Sequence, residues 1–293
     1  MTEPTATVPP NSARSRRPSL LITIVAMLFV IVPFLFWYGT WFGRELNDSE
    51  MEKYLNDTNS PRKLQHALSQ LAQRIARHDE KAKRWYTKIL ALAEHPVSQV
   101  RITAAWVMGQ DNTSQDFHDA LLRLLVDSHP MVRRNSALSL VRFADTSGRP
   151  ELLLMLRPYS IQAEREGTVS LVLTEEQGDQ ELPVTVAMLL VRITEANGQV
   201  FEVRSPLSGY LKSISVKEGT KVMVGDELAL VSPEPSQVWE SLRALCLVGQ
   251  PEDLPEIELY ARGMPGMNEQ IRRQALLTAD AIRNHKNQQQ TEQ

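Results

Sequence analysis

Cysteine is nearly missing from this chain. Cys246 is the single one among 293 residues, which excludes an intramolecular disulfide and a thiolate metal cage. Set in the apolar run LRALCLV, it reads as an inert thiol packed among hydrocarbons. Basic excess is missing too. A net charge of −3 and a pI near 6.1 give no positive field, so nucleic acid is not an expected partner. The six histidines (His66, His78, His95, His118, His129 and His285) are dispersed, and no metal site is expected from them. There is no Gly-x-Ser-x-Gly, phosphate loop or dinucleotide fingerprint. The carboxylate pairs Glu175-Glu176 and Glu252-Asp253 fall in polar loops and read as solvated surface. No catalytic residue, cofactor or small-molecule substrate is expected, and the chain reads as a non-enzyme.

Charge is also absent from residues 19–43, and residues 20–38 are almost wholly apolar. About 20 residues at 1.5 Å each cover a bilayer core of about 30 Å, so the pattern predicts a transmembrane helix over 19–43. The expected anchor residues are Leu20 and Phe34 within it and Trp37, Tyr38, Trp41 and Phe42 at its far end. Amphipathic rings of that kind favour the membrane interface. Arg14, Arg16 and Arg17 precede the segment, whereas Glu45, Asp48 and Glu50 follow it. The positive-inside rule then places a disordered cytoplasmic stretch at 1–18 and the bulk of the chain outside the cytoplasm. Residues 44–60 read as a polar tether with one helical turn.

From Pro61 the apolar period is that of helices. His95-Pro96 precedes Val100-Arg101, and His129-Pro130 precedes Val132-Arg133-Arg134, so the two histidines read as equivalent loop residues. Ala104-Ala105 and Ala137 follow, where small side chains admit close helix packing, and proline suits a helix start. This pattern resembles HEAT repeats, paired helices stacked into a solenoid. It predicts helices over 61–75, 82–93, 116–126 and 149–156, with repeats filling 61–159. The pattern returns over 236–284: 237–248 ends in Gly249-Gln250 as Met108 ends in Gly109-Gln110, 254–261 follows, and Ile271-Arg272-Arg273 repeats the Val-Arg signature. A glutamine-rich tail, 285–293, is expected to be disordered. Arg101, Arg133, Arg134, Arg272 and Arg273 recur at one repeat position. They either pack along neighbouring helices or form a basic ridge for a partner. Trp85, Trp106 and Trp239 are expected in the helical core.

Between the two helical stretches, 160–235 carries strand signals. Strands are expected over 169–173, 184–193 and 199–203, the last two joined through Glu195-Ala196-Asn197-Gly198. Residues 203–233, VRSPLSGYLKSISVKEGTKVMVGDELALVSP, alternate short apolar runs with turns expected at Ser208-Gly209, Glu218-Gly219 and Gly225-Asp226. This segment resembles the barrel-sandwich hybrid of biotinyl and lipoyl carriers and of periplasmic membrane-fusion adaptors. In the carriers the cofactor is joined to a hairpin-tip lysine. Here Ala187-Met188 runs into Leu189, and Lys212, Lys217 and Lys221 fall on strand or turn positions, so no working carrier is implied.

The expected fold is thus mainly α with an inserted β domain: an N-terminal transmembrane helix, a HEAT-like α-solenoid and a barrel-sandwich hybrid. The leading functional expectation is a scaffold or adaptor subunit of an inner-membrane complex facing the periplasm. It would bind integral-membrane or periplasmic proteins through the repeats and the β domain, and lipid through the anchor. Two alternatives stand beside it, a transport adaptor of the membrane-fusion kind and a degenerate carrier or accessory subunit of a biotin- or lipoyl-dependent enzyme.

Overall fold

A computed structural model describes residues 20–37, 45–173 and 182–291. The stretch 1–18, expected to be disordered, lies outside the described residues.

Helix α1 (Leu20–Trp37) is 18 residues long with Pro33 inside it, and its side chains over 24–35 are exposed. Its rise, about 27 Å, falls short of a hydrocarbon core of about 30 Å. Among the described residues no helix is long and apolar enough to cross a membrane. Of the expected anchor residues, Phe34 is exposed. Tyr38, Trp41 and Phe42 lie outside the described residues, as do the side chains of Leu20 and Trp37.

The expected tether is instead part of a helical body. Helix α2 (Asp48–Asn56) buries Met51 and Leu55 completely or nearly so. Glu52 on it accepts from Trp85 Nε1 at 2.9 Å and from Lys88 Nζ. Composition had suggested a linker because these few contacts are long-range.

The helical array then runs α3 (Pro61–Ala76), α4 (Tyr86–Leu92) after a 3-10 turn (Glu80–Trp85), α5 (Ser98–Met108), α6 (Gln115–Leu124), α7 (Pro130–Leu140) and α8 (Arg149–Leu154). It resumes with α9 (Pro235–Val248), α10 (Leu254–Ala261) and α11 (Glu269–Thr291). Proline opens α3, α7 and α9, where its fixed φ costs nothing and its missing N–H is not needed. Helix α5 packs on α3 and α7, and α11 on α9 and α10. Close approach is built in at Gly109, where a Cβ would lie 2.5 Å from Ser139 Oγ. Ser139 Oγ, on α7, donates to Ala105 O of α5 at 2.9 Å, and Thr278 Oγ1, on α11, does the same to Leu242 O of α9 at 2.8 Å. The last helix continues to Thr291 in place of the expected disordered tail.

Residues between α8 and α9 form two four-stranded antiparallel sheets. The first has the order β1 (Tyr159–Gln162), β8 (Glu227–Pro233), β6 (Gly209–Ile214), β3 (Leu182–Val184). The second has the order β5 (Val200–Arg204), β4 (Leu189–Thr194), β2 (Gly167–Val172), β7 (Lys221–Val222). Alternate residues Ile161, Val169, Val191, Ile193, Leu211 and Val231 fill the space between them.

Three sequence readings change here. The expected strand 184–193 is two strands, broken where Ala187 takes φ 66° and donates to Ser205 O at 2.8 Å. The break is a local turn closed by Met188 N–H donating to Thr185 O at 3.1 Å, and apolar periodicity does not register it because Ala187 stands where glycine is the usual signal. Strand β1 had no sequence signal of its own. Gly209 is no turn residue. It sits on β6 where a Cβ would lie 2.2 Å from Ser232 O, so glycine is needed for close approach, whereas Gly219 and Gly225 do take positive φ in turns.

Candidate protein-binding surface

Arg101 and Arg133 are each held first by the loop of their own repeat. Arg101 Nη1 donates to His95 O, six residues back, at 2.8 Å, and to Pro96 O at 3.2 Å. Arg133 Nη1 donates to Asp127 O, also six back, at 2.9 Å, and to Ser128 O at 3.3 Å. The same two loop residues play the same second part. His95 Nδ1 accepts the Val97 N–H at 3.1 Å, and Asp127 Oδ1 accepts the His129 N–H at 2.8 Å. His95 thus takes the place of Asp127 beneath the repeat arginine. His129 Nδ1 accepts the Met131 N–H at 3.2 Å as His95 accepts that of Val97, so the equivalence read from the His-Pro pairs holds for the local contact and fails for the arginine. Aligning the chain on Val-Arg would have shown it.

Arg101 also reaches forward, donating through Nε and Nη2 to Asp127 at 2.7 and 2.9 Å. This fork is the strong, bidentate geometry of guanidinium and carboxylate. Burial pushes the Asp127 carboxyl up, but the Arg101 bonds and the His129 N–H outweigh it and hold it below the usual carboxylate range. Arg133 makes the next contact between repeats, a single bond from Nε to Glu151 Oε2 of α8 at 3.1 Å. Both arginines thus bind one repeat to the next, as the packing reading of the sequence had it.

Arg134 points elsewhere. It is 3% exposed, with Nη1 donating to Gln237 Oε1 of α9. Gln237 Nε2 donates to Ser208 O and Ser208 Oγ, both at 3.2 Å, and Ser208 Oγ donates to Glu234 at 2.7 Å. Burial lowers the Arg134 pKa, and its Nε has no partner while Glu151 stands 3.9 Å away. A buried guanidinium of this kind joins α7 to the inserted sheets and is no surface contact. Gln237, Ser208 and Glu151 carry no sequence signal for that role.

The split helical pair closes below this junction. Leu152, Met155 and Leu156 share a core with Val238, Leu242, Leu245 and Tyr260. Ser241 Oγ donates to Leu152 O at 2.6 Å, and Tyr260 Oη to Leu156 O. Burial, with Glu256 nearby, pushes the Tyr260 phenol up to about 12. Helix α9 therefore returns into the array and is not one arm of a coiled-coil hairpin.

Arg272 and Arg273 are half and three-quarters exposed on α11, both beside Glu269. The five arginines consequently do not line one ridge. Of the tryptophans, Trp85 is buried, Trp239 lies against the helical core, and Trp106 is 43% exposed on α5, against expectation. Among the described residues no group of histidine, cysteine and carboxylate side chains could hold a metal ion. Lys212 lies on β6, Lys217 precedes the turn at Gly219 and Lys221 lies on β7; the β4–β5 tip is Glu195 to Gly198. A cleft of ≈ 840 Å³ at that tip is lined by Glu166, Thr168, Asn197, Lys221 and Met223 among others.

The family description for HEAT repeats matches residues 86–163, from the start of α4 to just past β1. Residues 86–163 thus carry HEAT repeats, a class of repeat associated with protein–protein interaction, and the described chain is mainly α with an inserted two-sheet β region. Among solved structures it is similar to one described as "Structure and function of a single-chain, multi-domain long-chain acyl-coa carboxylase". The identity is 20% and the TM-score 0.23, over 35% of this chain and 10% of that one. The chain therefore spans about a tenth of that protein's length. No curated protein matches it.

Proposed function

We propose that this protein is a non-enzymatic scaffold or adaptor subunit, anchored in an inner membrane by residues 19–43 and facing the periplasm. Its helical repeats grip one protein partner and its β region offers a second contact. The observation that carries the reading is the Arg134–Gln237–Ser208 chain. It ties the β region to the repeats so that both can bind one partner without paying for reorientation. The exposed run of apolar side chains on α1, with Phe29 at 81% exposure, supports the anchor, as does the arginine cluster that precedes it. The lack of any recognised catalytic signature in the sequence supports a binding role.

Gentle solubilisation of native membranes followed by sizing tests it. The chain is expected in the membrane fraction, resistant to carbonate, and to elute with stoichiometric partner subunits. A monomer that leaves the membrane with carbonate and carries no subunit would end the proposal.

A further inference from the structure

Strands β1 and β5 each lie at one edge of their sheet, and both line one cleft of ≈ 510 Å³. Successive residues of a strand aim their backbone groups to opposite sides, so the bonding phase of each strand can be read from its fixed contacts. On β5, Glu195 N–H donates to Gln199 O at 2.8 Å and Ser205 N–H donates to Met188 O at 2.9 Å. Odd-numbered residues therefore bond inward to β4, and Val200, Glu202 and Arg204 aim N–H and C=O at the open side. On β1, Ala163 N–H donates to Asp226 O, and Gly225 N–H donates to Ala163 O, both at 2.8 Å. Ser160 and Gln162 then face outward as well.

We infer that this seam is a strand-addition site, where an extended segment of a partner protein pairs with the backbone of Val200, Glu202 and Arg204. The inference deepens the scaffold reading and rests on it. Only an extended chain presents donors and acceptors at the matching spacing. The side-chain chemistry narrows the class. Phe201 and Val203 lie on the core side of β5, so alternate residues of the incoming segment are apolar. On the outer face Glu202 is already held by Arg192 at 3.0 Å and Arg204 at 2.6 Å, a trio with one surplus positive charge. An acidic residue opposite Arg204 extends that row favourably. The occupant is a segment alternating apolar and acidic residues.

Hydrogen exchange on the full chain tests this, with a blocked octapeptide alternating valine and glutamate as probe. The amides of Val200, Glu202 and Arg204 exchange fast in the free chain and slow at least tenfold with the peptide, while Phe201 and Val203 do not change. A version N-methylated on the pairing edge has no effect. Slow exchange of those three amides in the free chain overturns the inference, as does no slowing with the peptide, or equal slowing by the N-methylated version. In native membranes Val200→Pro, at the first residue of β5 and with an exposed side chain, removes an outward donor that an edge strand can lose, and lowers partner recovery at least tenfold with unchanged melting. Full recovery with Val200→Pro sinks strand addition alone. If the unaltered chain carries no subunit, the scaffold reading falls, and the exchange result still decides the seam.

Discussion

Arg134 and Gln237 stand 103 positions apart and are joined by a hydrogen bond from the guanidinium to the amide oxygen. Between them in sequence lies the whole β region. The bond makes the two ends of an insertion answer to one buried charge. Such a group costs more when its partner is removed than the intact bond contributes.

Replacing Gln237 by alanine therefore leaves Arg134 buried with less of its charge satisfied. The expected loss is about 2 kcal/mol of stability, measured by urea unfolding. Arg134→Met, which removes the charge and keeps the volume, is expected to cost less than Gln237→Ala does. The opposite order would show that the guanidinium is not held as described.

The Arg101–Asp127 fork couples successive repeats. A double-mutant cycle through Arg101→Ala and Asp127→Ala is expected to give about 1–2 kcal/mol of coupling, since both side chains are mostly buried. Additive losses would contradict the fork.

The same carboxyl predicts a pH response. The folded Asp127 pKa is depressed, so its contribution is complete above the ordinary carboxylate value of 3.8 and is lost as pH falls through the folded pKa. Asp127→Asn is expected to flatten the fall of stability on acidification below about pH 4, in proportion to one fewer titrating group. An unchanged slope would remove Asp127 from the acid response.

Two glycines separate close approach from backbone freedom. Gly209→Ala drives a methyl into Ser232 O and is expected to cost about 3 kcal/mol or more, lowering the melting temperature. Gly198→Ala, at φ +83° with nothing near, is expected to cost about 1 kcal/mol. Equal costs would mean that β6 and β8 are not as close as found.

Helix α2 supplies a further check on the boundary of the helical body. Met51 is fully buried, so Met51→Ala is expected to cost about 2–4 kcal/mol. A neutral outcome would restore the tether.

Periodicity and proline placement carried much of the helical array into view, and turn residues carried the β region, because both are local devices. Legible in the same way was the recurrence of Arg101 and Arg133. Their partners were not. Asp127 and Glu151 look like ordinary surface acids until the repeats stack, and β1 has too few residues to announce itself. Helix α2 was legible only as one helical turn in a tether, because its three apolar residues, Met51, Tyr54 and Leu55, make too short a period in nine.

What the sequence determined alone follows from local pattern: where helices start, the turns at Gly219 and Gly225, and the insertion of sheets within a helical pair. Tertiary structure alone decided which arginines are consumed. Arg101 and Arg133 are spent between repeats, Arg134 is buried at the junction, and Arg272 and Arg273 are left at the surface. Five like side chains in like local contexts diverge because the cost of desolvating a guanidinium depends on acceptors brought in from far along the chain.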